Sequence, residues 1–178
     1  MLVIRSLVIV CLCLCAPGCY TVTLDAIPPQ LVDAPIPVAA KVDVPPATAN
    51  YEYVVRSLMA GGANTWTIEV GKAIVQYADA FLSPAFLKGD QVTVQIDLQS
   101  FEVHDFEAHC SVQFTVRRGD AGIFQKTYTS QGVGYAARVV WGGAFAMKSS
   151  MRRTTDEALR SVFQQFLTDA HAQSGSWQ

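Results

Sequence analysis

Three candidate strand runs constrain the fold of this chain more than any other feature, and the first two alternate apolar with polar residues. They cover residues 91–99, 110–117 and 123–130, and the first is the most regular. Because successive residues of a strand point to opposite faces, a period of two predicts a strand with one buried and one wet face. Gly119–Gly122 supplies a turn between the second and third runs. The sequence therefore predicts an antiparallel meander of three strands.

The remaining elements are read from helical spacing and from proline positions. Apolar residues at helical intervals predict a helix near residues 66–82. Thr154 and Glu157 form a capping box before an apolar stripe over 159–170, which predicts a C-terminal helix. Alternation over 38–44 predicts a first strand, and its flanking prolines suit the edge of a sheet.

This order, β-α-β-β-β-α, predicts an α+β fold in which two helices pack on one face of an antiparallel sheet of about four strands. The chain is 51% hydrophobic and only 16% charged, which supplies a core and argues against disorder. Its formal net charge of -2 gives no general attraction to phosphate backbones, so nucleic acid is not an expected partner.

The N-terminus has the form of a secretory signal peptide. Met1–Arg5 carries one positive charge, and the apolar run Leu7–Cys15 is too short to span a bilayer. The predicted organisation is a signal peptide at 1–18, a proline-rich tether at 19–36, a single α+β domain at 37–172 and a frayed tail at 173–178.

Residues 16–19, Ala-Pro-Gly-Cys, resemble the lipobox of bacterial lipoproteins, where signal peptidase II cleaves before a diacylglyceryl-modified cysteine. The resemblance implies that Cys19 is lipidated and begins the mature chain. Tyr20 stands where Asp would mark inner-membrane retention, which implies the periplasmic face of the outer membrane. Ala16 departs from the preferred Leu. Cleavage of the same bond by the general signal peptidase, leaving a free Cys19 thiol, is the alternative.

The cysteines do not predict a disulfide framework. Three of the five lie within the signal peptide, and Cys19 would be acylated. Cys110 remains, in phase with the inward-facing residues Val112 and Phe114. It is therefore expected to be a buried, reduced thiol.

A polar cluster between the first two strands of the meander is the one set with metal-ligand chemistry: His104, Asp105, Glu107 and His109. Its spacing is not a standard one, and a continuous strand would place His104 opposite the other three. We interpret the cluster as a solvated hairpin and expect no metal and no cofactor.

The sequence contains no nucleophile motif, so we expect that the chain is not an enzyme. A metal-dependent enzyme using this cluster remains the less favoured alternative.

The segment 132–153 is glycine-punctuated and combines large apolar residues with cations. Read as a long loop, it predicts a contact with a partner protein or with lipid. The alternative is that its aromatic residues fold back over the core. The predicted contact residues are Tyr135, Arg138, Val139, Val140, Trp141, Phe145, Arg152 and Arg153.

The whole layout resembles small periplasmic lipoproteins. The shared features are the lipobox cysteine, the proline-rich lead, a V-G-K-A-I helix at Val70–Ile74, paired strands and a terminal T-D-E-A-L helix. The nearest are YajG-like lipoproteins and the auxiliary lipoproteins of ABC-type lipid transport systems. The resemblance implies a non-enzymatic, membrane-anchored subunit of an envelope protein complex, in lipid or lipopolysaccharide transport. The alternative is a soluble periplasmic ligand-binding protein.

Overall fold

The computed structural model describes residues 18–30, 34–57, 64–134 and 136–177, with the backbone alone at 57 and over 136–145. Apart from Gly18, the predicted signal peptide lies outside these residues. The described residues form two sheets, whose strands are numbered along the chain: β1 (Cys19–Val22), β2 (Ile36–Asp43), β3 (Tyr53–Ser57), β4 (Asn64–Ile68), β5 (Phe86–Lys88), β6 (Val92–His104), β7 (Glu107–Arg118) and β8 (Ala121–Gln131).

The larger sheet has the strand order β5-β2-β6-β7-β8. Strands β6, β7 and β8 pair antiparallel, which confirms the predicted meander. Strand β2 was predicted at an edge, but it lies between β5 and β6 and runs parallel to both. Pro37 is accommodated because it falls in a register shift between Ile36 and Ala39, before pairing with β6 begins at Ala40.

The smaller sheet has the strand order β1-β4-β3, with β1 parallel and β3 antiparallel to β4. None of its three strands is predicted from the sequence. Strand β1 lies in the segment expected to be a tether, yet Val22 and Leu24 are buried in the core. Strand β4 occupies the beginning of the predicted helix, because Trp66 and Ile68 alternate with threonines and pack inward.

Three helices lie in the described part of the chain: α1 (Pro46–Ala49), α2 (Val70–Tyr77) and α3 (Ala136–Gln173). A π-helical turn, Ala78–Leu82, extends α2, so the predicted helix at 66–82 is right from Val70 onward. The tail expected to fray instead forms a 3-10 turn, Ser174–Trp177. Trp177 is buried there against Phe124.

Helix α3 begins 18 residues before the predicted capping box, so the interpretation of 132–153 as a long loop is wrong. Thr154 is not a cap but a fully buried residue within the helix. Met147 and Met151 are also buried, so the apolar stripe extends toward the N-terminus at helical spacing. This packing offsets the cost of about 1 kcal/mol for each of the glycines at 142 and 143.

An aromatic cluster joins α3 to the larger sheet. Phe114 of β7 stacks on Phe166 with ring centroids 4.2 Å apart, and it meets Phe163 edge-on at 5.3 Å. Tyr77 at the end of α2 packs on the other side of Phe163. The smaller sheet adjoins this core where Tyr53 meets Phe101 of β6.

The predicted fold class is therefore wrong in its layout. In place of one antiparallel sheet of about four strands with two helices, the described residues form eight strands in two mixed sheets, with three helices. The physical reason is that β1, β3, β4 and β5 are only three to five residues long, and that β1 and β5 are strands only through pairing with distant parts of the chain. Strands this short carry little periodicity of their own.

Candidate functional site

The polar cluster considered for metal binding lies at the β6–β7 hairpin. Asp105 and Phe106 form the turn, and both have positive φ. The turn pairs His104 directly with Glu107, so the two side chains share one face of the sheet. The expectation that His104 lies on the opposite face is therefore wrong. The side chains of His104 and Asp105 are 81% and 85% exposed, and Glu107 accepts a hydrogen bond from Gln131. Within the described ranges, no three His, Cys, Asp or Glu residues are grouped to hold a metal ion.

The predicted contact segment is only partly described. Tyr135 lies outside the described residues, and five others lie on α3 where the backbone alone is described: Arg138, Val139, Val140, Trp141 and Phe145. Their role as contacts stays a prediction. Arg152 and Arg153 are described, and both line a groove on the surface of α3.

This arginine groove is formed by Leu24–Pro28, which follows β1, and by one side of α3. Its volume of about 390 Å³ is in the range of small-molecule sites. Three arginines and two aspartates line it, so cations exceed carboxylates by one. The residues that α3 contributes are Ala146, Ser149, Ser150, Arg152, Arg153, Asp156 and Arg160.

One ion pair crosses the groove. The Nη1 atom of Arg152 donates to Oδ1 of Asp25 at 2.8 Å. The two side chains are 41% and 77% exposed, so water screens the pair and its contribution to stability is about 0–1 kcal/mol. An anionic group entering the groove can therefore replace Asp25 at small cost. Arg152 is thereby suited to bind a ligand as well as to hold the segment after β1.

A second set of contacts fixes one end of the groove. The hydroxyl of Tyr77 donates to Oδ1 of Asp156 at 2.6 Å, and Arg160 donates to the same carboxylate at 3.2 Å. Burial, followed by the hydrogen bond to Asp156, raises the pKa of Tyr77, so its hydroxyl stays protonated and remains a donor. Arg160 also lies over the Tyr77 ring at 5.8 Å. These contacts hold the Arg160 guanidinium at the groove.

Ser150 lines the groove and carries a buried hydroxyl. Ser150 is 4% exposed, and no described residue forms a hydrogen bond with its hydroxyl. A buried hydroxyl without a partner costs free energy, and a ligand oxygen or a water molecule would restore the bond. The groove therefore combines guanidinium groups with a free hydroxyl, a set that suits a phosphate or carboxylate group.

Close contacts between backbones set the position of α3. The amide of Ala108 in β7 donates to Oγ1 of Thr154 at 2.9 Å. The carbonyl of Ala108 accepts a hydrogen bond from the amide of Gly132 at 2.8 Å. A Cβ atom at position 132 would lie 2.0 Å from the carbonyl oxygen of Thr154. Only glycine fits this approach, and the groove residues of α3 lie within about two turns on either side of Thr154.

Sequence reasoning found Arg152 and Arg153 but missed Asp25, Ser150 and Arg160. Arg160 follows Arg153 by seven residues, the spacing of two helical turns, and would have been found had the helix been extended to cover both. Asp25 carried no such signal, because its segment was read as a tether and its partner is 127 residues away.

The two described cysteines differ sharply. Cys19 is the first residue of the edge strand β1, and its thiol is free and exposed. Cys110 is free and buried, which confirms the prediction for it. Burial raises the pKa of the Cys110 thiol to about 12, so it stays protonated and unreactive at neutral pH. Cys19 is thus the accessible thiol of the described chain.

Comparisons with known proteins bear on the fold. No family model matches the sequence, and no curated protein matches it either. A solved structure from Xanthomonas campestris, labelled DUF330, covers 89% of this chain and 99% of its own, with a TM-score of 0.54 at 13% identity. The chain shares the fold of this DUF330 protein.

Two further solved structures match less closely. One, from Caulobacter crescentus CB15 and described as a candidate lipoprotein, covers 56% of this chain and 81% of its own, at 13% identity and a TM-score of 0.35. The other is a hypothetical protein from Chlamydia trachomatis that covers 90% of this chain and 99% of its own, at 11% identity and a TM-score of 0.39.

Among the helices of the described residues, none has the length and apolar character needed to cross a bilayer.

Proposed function

We propose that this chain is a lipid-anchored lipoprotein of the bacterial cell envelope. In this proposal Cys19 is acylated and holds the domain at the periplasmic face of the outer membrane. The domain is a non-enzymatic binding or assembly subunit of an envelope complex that handles lipid or lipopolysaccharide. The arginine groove is its binding site for an anionic group.

The position of Cys19 is the observation that carries the proposal. It follows a signal-peptide pattern directly, and its thiol is exposed, as acylation requires. All described strands and helices lie after Gly18, so cleavage before Cys19 removes none of them. Cys19 thus follows the predicted cleavage site directly and is the first residue of the first described strand.

The chemistry of the groove supports the binding of an anionic group. Its lining contains arginines, serines and aspartates but no histidine or cysteine. Guanidinium groups recognise phosphate and carboxylate through paired hydrogen bonds. A lipid phosphate or an acidic segment of a partner protein would thus find complementary groups there.

The experiment is crosslinking and pull-down from native membranes, comparing Arg152→Glu with the matched variant Arg117→Glu. Arg117 is an exposed arginine on β7, outside the groove. We expect Arg152→Glu to reduce recovery of crosslinked envelope partners at least severalfold and Arg117→Glu to leave it nearly unchanged. Equal recovery from both variants would contradict a binding role for the groove.

A soluble periplasmic ligand-binding protein is the second candidate, favoured by the volume of the groove. The two candidates differ in where the chain is found. A lipoprotein sediments with membranes and is released only by detergent, and Cys19→Ser releases it into the soluble fraction. A soluble ligand-binding protein is in the soluble fraction with either residue.

A further inference from the structure

The smaller sheet leaves one of its faces uncovered. Residues paired across a sheet share a face, and Cys19, Thr65 and Arg56 form one such row. Thr21, Thr67 and Val54 form the next row on the same side. Cys19, Thr21, Val54 and Arg56 are exposed, and Val54 is exposed by 53%, whereas the other side carries the buried Val22, Trp66 and Ile68. We call the uncovered side the open face.

Charge is distributed unevenly along this sheet. Arg56 lies two strands from Cys19, about 10 Å away at the strand spacing, and it has no ion-pair partner in the described part of the chain. The acidic residues Glu52 and Glu69 lie at the opposite end, beside Tyr53 and Ile68. Glu69 is bound there by Lys72 and by the hydroxyl of Thr23. The end that holds Cys19 is therefore the cationic end.

We propose that the open face is a membrane-docking surface on which Arg56 contacts anionic lipid headgroups. This rests on the proposed anchoring of the chain through Cys19. The occupant is a bilayer because the anchoring sulfur is itself a side chain of this face and no linker separates it from β1. A lipid attached there brings Arg56 to within about one Debye length of the headgroups. The domain is thus held against the membrane in a fixed orientation.

The test uses the chain from Cys19 to Gln178, which retains all the described strands and helices. Its Cys19 thiol is coupled to hexadecyl maleimide, and the buried Cys110 stays unmodified. A single acyl chain gives reversible binding, so partition onto vesicles reports contacts beyond the anchor. Vesicles of phosphatidylglycerol and phosphatidylcholine in equal parts are compared with phosphatidylcholine alone.

Arg56→Gln and Arg117→Gln are matched variants, since each removes one exposed cation. Arg117 lies near the C-terminal end of α3, because its neighbour Arg118 binds the carbonyl of Trp177. The segment that follows β1 meets α3 at Arg152, which is 21 residues before the last residue of α3, or about 32 Å along the helix axis. Arg117 is therefore far from the point where the chain leaves β1. We expect Arg56→Gln to weaken partition onto the anionic vesicles about fivefold, and Arg117→Gln less than twofold. Arg56→Lys should bind as the unsubstituted chain does.

Equal weakening by the two glutamine variants, or none by either, would overturn the docking surface, as would a loss in Arg56→Lys. Because the lipid is attached chemically, the result does not depend on acylation in the cell. An unacylated Cys19 in native membranes refutes the proposed function, whereas equal partition refutes the docking surface. The two failures are therefore distinguishable.

Discussion

The two sheets of this domain differ in the length of their strands and in how their faces are covered. In the larger sheet, strands of up to 13 residues pack against the 38-residue helix α3 through stacked aromatic rings. In the smaller sheet, strands of four or five residues bury one face and leave the other uncovered. The comparison indicates that the larger sheet and α3 supply most of the packed core, while the smaller sheet adds one buried face and presents Cys19 and Arg56 to the surroundings.

The largest effect is expected from the aromatic cluster. Phe166→Ala removes the ring that stacks on Phe114 and should lower the free energy of unfolding by about 3–5 kcal/mol. Val54→Ala, on the open face of the smaller sheet, should change it by less than about 0.5 kcal/mol. Urea unfolding followed by circular dichroism measures both values. Similar losses in the two variants would break the distinction between the sheets.

A buried hydrogen bond between α3 and the larger sheet gives the next effect. Thr154→Val leaves the buried amide of Ala108 without its acceptor and should cost about 1–3 kcal/mol. Thr21→Val is the matched control on the exposed side of β1, and it should be nearly neutral. Thermal unfolding of the two variants compares them, and a neutral Thr154→Val would show that the hydrogen bond does not hold α3.

The smallest effect concerns acid sensitivity. The hydrogen bonds from Lys126 and from Tyr128 lower the pKa of Asp169 below its ordinary value of 3.8. A lowered pKa means that ionised Asp169 stabilises the fold above about pH 4 and that this contribution is lost as the pH falls through the folded value. Asp169→Asn should therefore cost about 1 kcal/mol or less at neutral pH and nothing at the lowest pH at which the fold persists.

The control for Asp169 lies beside the smaller sheet. The pKa of Glu69 is also lowered, chiefly by its hydrogen bond to Lys72, but this pair is local to one helical turn. Glu69→Gln should cost less at neutral pH than Asp169→Asn, because the Asp169 ion pair ties α3 to β8, whereas the Glu69 ion pair joins residues three apart and its one distant contact is an exposed hydrogen bond from Thr23. Unfolding midpoints measured across acid pH rank the two, and the reverse ranking would contradict the comparison.

The part of the fold that could be predicted from the sequence is the part with long periodic elements. Alternation over 91–99 and 110–117 suffices because each run is long enough to bury a whole face. Strand β1 could not be found in this way, since its four residues are strand only through pairing with β4, about 45 residues later. Helix α3 was predicted too short because glycines 142 and 143 weaken the local helical signal that tertiary packing restores.

The candidate site was predictable to a similar extent. Arg152 and Arg153 stood out as cations beside an apolar segment, and Cys19 stood out by its place after the signal pattern. The partners that make a groove from these arginines come from elsewhere in the chain. Asp25 reaches Arg152, and Tyr77 reaches Asp156, only because the helices and β1 meet in space. Contacts of that kind leave no spacing in the sequence.

The mass of the N-terminal peptide of the chain, isolated from bacterial membranes, tests the central claim most directly. We expect a peptide that begins at Cys19 and carries a diacylglyceryl group on the sulfur, with Cys19→Ser abolishing the modified species. An unmodified Cys19 thiol, or a peptide that begins upstream and retains residues 1–18, would contradict it.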